Sequence, residues 1–251
     1  MISVVVPCLN EEKNLPFFLN SLAAQGWKHW ELVIVDGGSS DRSRKVVSKW
    51  EKHTGIHCTK LINETRNLGF VRNFGARAAR GDILLFTNSD AMLTEVFIFD
   101  VHVRFNIIGD PLMALSGRTV PLEGGALCSL GYAAFDWLRW IFSKIGRFSP
   151  SGNFLAVRTA DFWRVGGFPE IRVNEDGVLG SMLSIYARER GAKVKFDRDL
   201  LTYHFSAKRW RKKGMKTLLF YSYVFGNFSP LLKRILSPIL KKSSREFNVD
   251  A

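Results

Sequence analysis

The chain has 251 residues, 46% of them hydrophobic and 24% charged, with a formal net charge of +13. That length and balance suit one large α/β domain with its own core and exclude a disulfide-stapled miniprotein. Three widely spaced cysteines, Cys8, Cys58 and Cys128, form no CxxC pair. They argue against a disulfide framework and a cysteine zinc site, and for a reducing, cytosol-facing setting.

The start, Met1–Pro7, is too short and uncharged for a signal peptide and reads as a strand. Short Val- and Ile-rich runs follow at Leu32–Val35, His57–Ile62 and Ile83–Phe86, after a first run at Ile2–Val6. Runs apolar on both faces predict buried parallel strands. Between them, Glu11–Ala24, Ser40–Lys52 and Gly69–Arg80 carry apolar residues at helical spacing. This alternation predicts a parallel sheet with helices on both sides. Further on, Leu112–Val120 reads as a strand, Ala126–Phe142 as an apolar, aromatic helix, and Asn153–Val157 as a short strand. Asp176–Arg190 reads as a helix ended by Gly191, and Lys193–Phe196 as a closing strand.

The charge is uneven. No acidic residue lies between Asp199 and Glu246, whereas eleven of the 36 basic residues do. A basic tail of this kind solubilises the chain or seeks polyanions: nucleic acid, anionic lipid or phosphorylated substrates. Within it, Thr217–Leu232 has sixteen uncharged residues broken by Gly226 and Pro230. A spanning helix needs about 20 apolar residues, so this segment fits the membrane interface better than a membrane span.

In parallel sheets ligands bind at the carboxyl ends of strands. Three polar clusters sit at such ends or at a helix start. Asp36, followed by Gly37 and Gly38, offers an acceptor for ribose or base N–H groups, or simply caps a tight turn. Asn88-Ser89-Asp90 follows an apolar strand, where a carboxylate can hold a hard cation against phosphates. Glu175 and Asp176 open a helix, where they can complement the helix dipole or supply a general base.

The order of motifs is more specific than any one of them. Pro7-Cys8-Leu9-Asn10-Glu11-Glu12 comes first, then Val35-Asp36-Gly37-Gly38-Ser39-Ser40-Asp41. Asn67-Leu68-Gly69, Arg72-Asn73-Phe74-Gly75 and Gly81-Asp82 follow, then Asn88-Ser89-Asp90, Gly166-Gly167-Phe168-Pro169 and Asn174-Glu175-Asp176. The series resembles the family 2 glycosyltransferases from Ile2 to about Trp210. The resemblance implies a GT-A fold: a Rossmann-like, mostly parallel sheet with helices on both sides, followed by amphipathic C-terminal interface helices. It implies a catalytic domain over residues 1–204, with a nucleotide-binding half to about 110, an acceptor half from about 111, and a basic membrane-interface tail over 205–251.

Carried over by position, Pro7, Asn10, Glu11 and Asp36 cradle the nucleoside, with Leu9, Gly38 and Ser89 beside them. Arg72 approaches the donor. Asp90 is the ligand for Mn2+ or Mg2+, and His204 matches a late histidine that completes the metal site. Asn88 stands where the family has a first Asp, so it brings no second charge. Gly152 and Asn153 fall on the acceptor side, and Asp176 matches the base with Glu175 next to it. Ser206-Ala207-Lys208-Arg209-Trp210 resembles the Gln-x-x-Arg-Trp motif of cellulose-synthase-like members, placing Arg209 and Trp210 at the donor; Ser206 in place of Gln argues against processive synthesis. The implied reaction is a single inverting displacement on a nucleotide-diphosphate sugar; UDP and GDP sugars both stay open, with resemblance to lipid-linked mannosyltransferases favouring GDP-mannose. The implied acceptor is lipid-linked or a polyprenyl phosphate, at the cytoplasmic face of a membrane.

Rival readings fit less well. A nucleotidyltransferase needs a Gly-rich basic loop after the first strand, where Cys8–Lys13 stands instead. A dehydrogenase needs G-x-G-x-x-G there. A nucleic-acid-binding protein would explain +13, but the charge is interleaved with long apolar runs and no nucleic-acid motif accompanies it.

Overall fold

A computed structural model describes residues 1–64, 67–108, 111–171 and 174–205. The expected tail, including Arg209 and Trp210, lies outside the described residues. Among the latter no helix is long and apolar enough to cross a membrane.

Four strands form the first half of the sheet: β1 Ile2–Cys8, β2 Trp30–Asp36, β3 Cys58–Ile62 and β4 Ile83–Thr87. They pair in parallel in the order β3-β2-β1-β4. Side chains alternate between two cores: Val4 and Val6 join one cluster, Val5 the other. That alternation is why these runs must be apolar on both faces. Connecting helices are α1 Leu15–Ala23, α2 Ser43–Thr54 and α3 Leu68–Ala78. Gly75 lets α3 lie close on the sheet, because a Cβ there would sit 2.6 Å from Val5 Cγ1 and 2.9 Å from Val35 Cγ2.

Beyond β4 come β5 Ala91–Leu93, α4 Phe97–Asn106, β6 Leu112–Pro121 and α5 Gly125–Lys144. β7 Phe154–Arg158, α6 Thr159–Arg164, α7 Glu175–Glu189 and β8 Lys193–His204 complete the fold. One eight-stranded sheet results, in the order β3-β2-β1-β4-β7-β6-β8-β5. Here the sheet becomes mixed. β7 runs antiparallel to both β4 and β6, β6 pairs in parallel with β8, and β5 returns antiparallel to β8. The sheet is continuous across the boundary expected near residue 110.

Several boundaries differ from the sequence reading. Pro16 sits at the first turn of α1, so residues 11–14 form a turn before the helix rather than its start. α2 begins at Ser43, not Ser40. Asp41 Oδ1 accepts from the N–H of Ser43 (2.9 Å), while residues 39–41 turn toward Asn10. β8 runs on to His204 through an irregularity. Opposite the Gly117–Arg118 junction of β6 the register jumps from Asp197 to Leu201, so Arg198, Asp199 and Leu200 bulge out. Gly117 permits this, since a Cβ there would lie 2.5 Å from the carbonyl of Leu200. Asp197 anchors the bulge, accepting from Arg104 Nε (2.7 Å), Lys195 Nζ (3.0 Å) and its neighbour's N–H at Asp199 (3.0 Å). Burial alone would raise its carboxyl, but these donors hold it below the usual carboxylate range.

Candidate active site

The loop after β1 and the loop after β2 are tied together. Asn10 adopts a left-handed backbone (φ 54°), which turns its side chain to accept from the N–H of Ser40 at 2.9 Å. Its own N–H donates to Ser39 Oγ (3.0 Å), and that of Glu11 donates to Ser43 Oγ (2.8 Å). Asp36 closes β2 and accepts from the N–H groups of Gly38 (3.1 Å) and Ser39 (2.7 Å), with Arg44 on its other oxygen. Burial raises its carboxyl, and the Arg44 and Ser39 hydrogen bonds outweigh that and hold it below the usual range. Asp36 is therefore an anion with its oxygens already partly committed. Gly38 takes φ 88°, and a Cβ there would press on Glu64 at 3.1 Å. Leu9 is exposed and flanks Gly37, and Pro7 is half-buried in β1. A cavity of about 240 Å3 opens here, lined by Cys8, Ile34, Asp36, Arg44 and Lys60 among others. The Cys8 thiol is pushed up to about 12 by burial and by the charge of Asp36, so it is an inert wall.

At the end of β4, Asn88 turns away from any charge role. Its amide nitrogen donates to the carbonyl of Gly152 (3.1 Å) and to Asn153 Oδ1 (3.1 Å). Asn153 in turn donates to Thr119 Oγ1 (3.0 Å), and its carbonyl accepts from Thr87 Oγ1 (3.0 Å). The expected acceptor-side turn at Gly152 and Asn153 is thus stitched to the strand end that carries Asp90. Ser89 is buried.

Asp90 and His204 meet: Nε2 of the histidine lies 2.9 Å from Oδ1 of the carboxylate. The sheet brings them together, because Ala91 of β5 is paired with His204 of β8 and the N–H of Phe205 donates to the carbonyl of Asp90 (3.0 Å). Among the described residues no group of three or more His, Cys, Asp or Glu is placed to hold a metal. A hard oxygen and an imidazole nitrogen form a two-ligand half-site, which fits a divalent cation that takes its remaining ligands from phosphate and water.

Arg72 is buried in α3 beneath the start of α7. It donates to Asp176 Oδ1 (2.8 Å) and Glu175 Oε1 (3.2 Å), with the carbonyl of Gly152 at 3.5 Å. Its guanidinium also lies 5.0 Å from the ring of Phe168. The motifs around it explain one another. Asn73 clamps the backbone of Phe168, donating to its carbonyl (2.8 Å) and accepting from its N–H (2.9 Å). Gly69 has no room for a Cβ, which would sit 2.5 Å from the carbonyl of Pro169, and Gly167 none beside Asn73 Oδ1 at 2.7 Å. Two motifs about a hundred residues apart are therefore the two sides of one contact. Sequence spacing gave no signal for the Arg72 pairing or for the Arg44 partner of Asp36, because both depend on the packing of α3 and α2.

With Oδ1 of Asp176 held by Arg72, Oδ2 faces Gly152: a Cβ there would lie 3.3 Å from it. Gly152→Ala is expected to crowd this oxygen, lowering kcat/KM for sugar transfer roughly tenfold by slight misplacement of the reacting groups. Donor affinity measured by calorimetry should stay unchanged; a parallel loss of donor affinity would place Gly152 on the donor side.

The sheet, Rossmann-like in its first half and mixed beyond β4, with a polar crevice at its strand ends, is a GT-A type of fold. Residues 3–99 match the sequence model of the family described as Glycosyl transferase family 2. The poly(ribitol-phosphate) beta-N-acetylglucosaminyltransferase TarS of Staphylococcus aureus is 30% identical over 128 residues, 47% of this chain and 22% of the relative. A PGL/p-HBAD biosynthesis glycosyltransferase of Mycobacterium bovis is 33% identical over 152 residues, 57% of this chain and 55% of the relative. This chain thus spans about a fifth to about half the length of these two relatives. Among solved structures, the mannosyltransferase PcManGT from Pyrobaculum calidifontis, in complex with GDP-Man and Mn2+, superposes with TM-score 0.70 at 21% identity, covering 96% of this chain and 68% of the other. TarS in complex with UDP-GlcNAc superposes with TM-score 0.66 at 20% identity, covering 89% and 66%. At these identities the superpositions establish the GT-A fold.

Proposed function

We propose that this chain is an inverting glycosyltransferase that moves a hexose from a nucleoside-diphosphate sugar to an acceptor hydroxyl, with Asp176 as general base. One observation carries the reading. Asp176 is oriented by Arg72 through the same Gly152 turn that holds Asn88, two residues before Asp90. A carboxylate for the acceptor proton is thereby tied to the strand end that faces the leaving group. Asp36, Asn10 and Gly38 hold the nucleoside beside the cavity at the ends of β1 and β2, with Pro7, Leu9 and Glu11 shaping the loop. Asp90 and His204 would hold Mn2+ or Mg2+, and such an ion would supply positive charge for the departing diphosphate. Asp176 Oδ2 takes the proton as the hydroxyl oxygen attacks the anomeric carbon. No covalent sugar–enzyme step is needed, so the anomeric configuration inverts.

GDP-mannose is the proposed donor, supported by the mannosyltransferase solved with GDP-Man and Mn2+; TarS with UDP-GlcNAc supports the UDP alternative. The proposed acceptor is a lipid-linked phosphate or glycan at the cytoplasmic face of a membrane, supported by the basic, apolar-interleaved composition after Asp199. Thermal shift with UDP-, GDP- and dTDP-sugars plus Mn2+ tests the core of the reading. A donor at about 100 times its dissociation constant should add about 2.7 kcal/mol. In Asp90→Ala that metal-dependent shift should vanish. No shift with any donor in the unaltered chain overturns the reading.

A further inference from the structure

α5 is built inside out. Its two interior charges face the protein: Asp136 accepts from the N–H of Thr119 (2.9 Å) and from Arg139 (3.1 Å), and both side chains are buried. Its exposed side carries Ala126, Ser129, Leu130, Ala133, Ala134 and Trp137, and no charge until Lys144 in the last turn. Leu130 is 68% exposed, Trp137 52%, and Ile145 just past the helix 62%. A surface helix ordinarily shows the reverse pattern, with its polar stripe outward. From Ala126 to Trp137 the helix rises about 1.5 Å per residue, which makes this an uncharged ridge of about 18 Å.

The charge around the ridge indicates its occupant. Lys144 and Arg198 both lie over the ring of Trp140, at 5.5 Å and 5.2 Å, and both are exposed, as is Arg147 beyond the helix end. The β8 bulge presents Arg198 there. At the same end a cavity of about 490 Å3 is lined by Arg104, Lys144, Arg188, Lys193 and Lys195, with Ile108 at its edge and no carboxylate in its lining. Asp197 engages Arg104 and Lys195, and cations in the last turns of α4, α5 and α7 answer the helix dipoles, yet full positive charge exceeds both. Cations bordering a tryptophan-bearing apolar ridge match the chemistry of an anionic bilayer surface. A second copy of this chain would meet the same cations face to face. The ridge also begins at the proposed active site, since the N–H of Leu122, just before α5, donates to the carbonyl of His204 (2.9 Å).

We propose that the outward face of α5 is a membrane-docking surface: Leu130, Trp137 and Ile145 enter the apolar edge of an anionic bilayer, and Lys144, Arg147 and Arg198 bind its headgroup phosphates. The helix lies flat on the membrane, with its first turn delivering the site to the lipid surface. This rests on the membrane-facing part of the function proposed above and assigns it a surface within the catalytic fold, separate from residues 206–251.

Because Cys8, Cys58 and Cys128 are buried, a thiol-reactive NBD dye on the full-length Leu130→Cys or Trp137→Cys variant reports locally. Lys49→Cys on exposed α2 is the reference. With phosphatidylglycerol-containing vesicles, emission at positions 130 and 137 should rise severalfold and be quenched by doxyl-labelled lipid, while position 49 stays unchanged. Phosphatidylcholine vesicles alone should give a much smaller response. Unlabelled Leu130→Glu/Trp137→Glu should pellet less with anionic vesicles and keep its donor-induced thermal shift, which shows that it is folded. The proposal is overturned if the protein pellets with vesicles while both probes remain solvent-like, or if it does not associate at all. It is also overturned if the probes are already shielded without lipid, because then another part of the chain, or a second copy, covers the ridge. Probe insertion without any donor-induced shift would keep the docking surface and remove the transferase reading, so the two fail separately.

Discussion

Asp176→Asn is expected to bind nucleotide sugar as the unaltered chain does and to transfer it about 10³-fold more slowly, within the usual range for losing a general base. The argument is geometric. The carboxylate has one oxygen held by Arg72 and the other turned to Gly152, so an amide of the same shape keeps the contact to the guanidinium but cannot accept the acceptor's proton. Initial rates of radiolabelled sugar transfer, with donor affinity by calorimetry, separate binding from chemistry. A near-normal rate in this variant puts the base elsewhere. Glu175→Gln should be milder, because Glu175 lies deeper and its Oε1 faces Arg72 at the longer distance of 3.2 Å.

Arg72→Met should lower stability by about 3–5 kcal/mol, the range found when one partner of a buried ion pair is removed. Arg72 is the buried cation between two carboxylates at the first turn of α7, and its side chain is only 3% exposed. Without it, Glu175 and Asp176 face each other's charge with little water to screen them. Methionine fills the space over Phe168 but brings no charge. Urea denaturation reads the loss directly, and transfer should fall with it, since Asp176 loses its orientation. Arg72→Lys should recover part of the stability and less of the activity, because an ammonium can meet both carboxylates as Nη1 does but lacks the second nitrogen that Arg72 turns to the Gly152 carbonyl. Unchanged stability in Arg72→Met would show that the pair contributes nothing net.

The two halves of the sheet differ in how far they could be read from sequence. β1, β2 and β4 are largely apolar on both faces, β3 is a half-exposed edge strand carrying Thr59 and Lys60, and all four are flanked by helices of regular period, so their existence followed from pattern. β5 spans only Ala91–Leu93, too short to show any period. α4 carries Phe97, Ile98, Val101 and Phe105 at helical spacing, and the sequence reading passed over it. β8 was expected over Lys193–Phe196 alone; Arg198, Asp199 and Leu200 instead form a bulge beyond which the strand continues to His204. At the site, the ordered motifs marked Asp36, Asp90 and Asp176 as strand-end or helix-start carboxylates. The resemblance named His204, which meets Asp90, but Arg44 beside Asp36 and Arg72 beside Asp176 were invisible, since they reach these groups through tertiary packing. Arg72 shows this most clearly: its motif was expected in the segment that approaches the donor, and its buried charge is met across the fold by Asp176 and Glu175.

The antiparallel union of β4 with β7 has a consequence for dissecting the molecule. All five residues of β4 are buried, and its two hydrogen-bonding edges are shared between β1 and β7. A fragment ending near residue 110 would keep the nucleotide cradle but strip one side of β4, leaving Ile83–Thr87 as a bare apolar edge. Such an edge templates strand addition from other copies. The half proposed to bind nucleotide is thus not an autonomous folding unit, and attempts to express it alone should give aggregates rather than a soluble module.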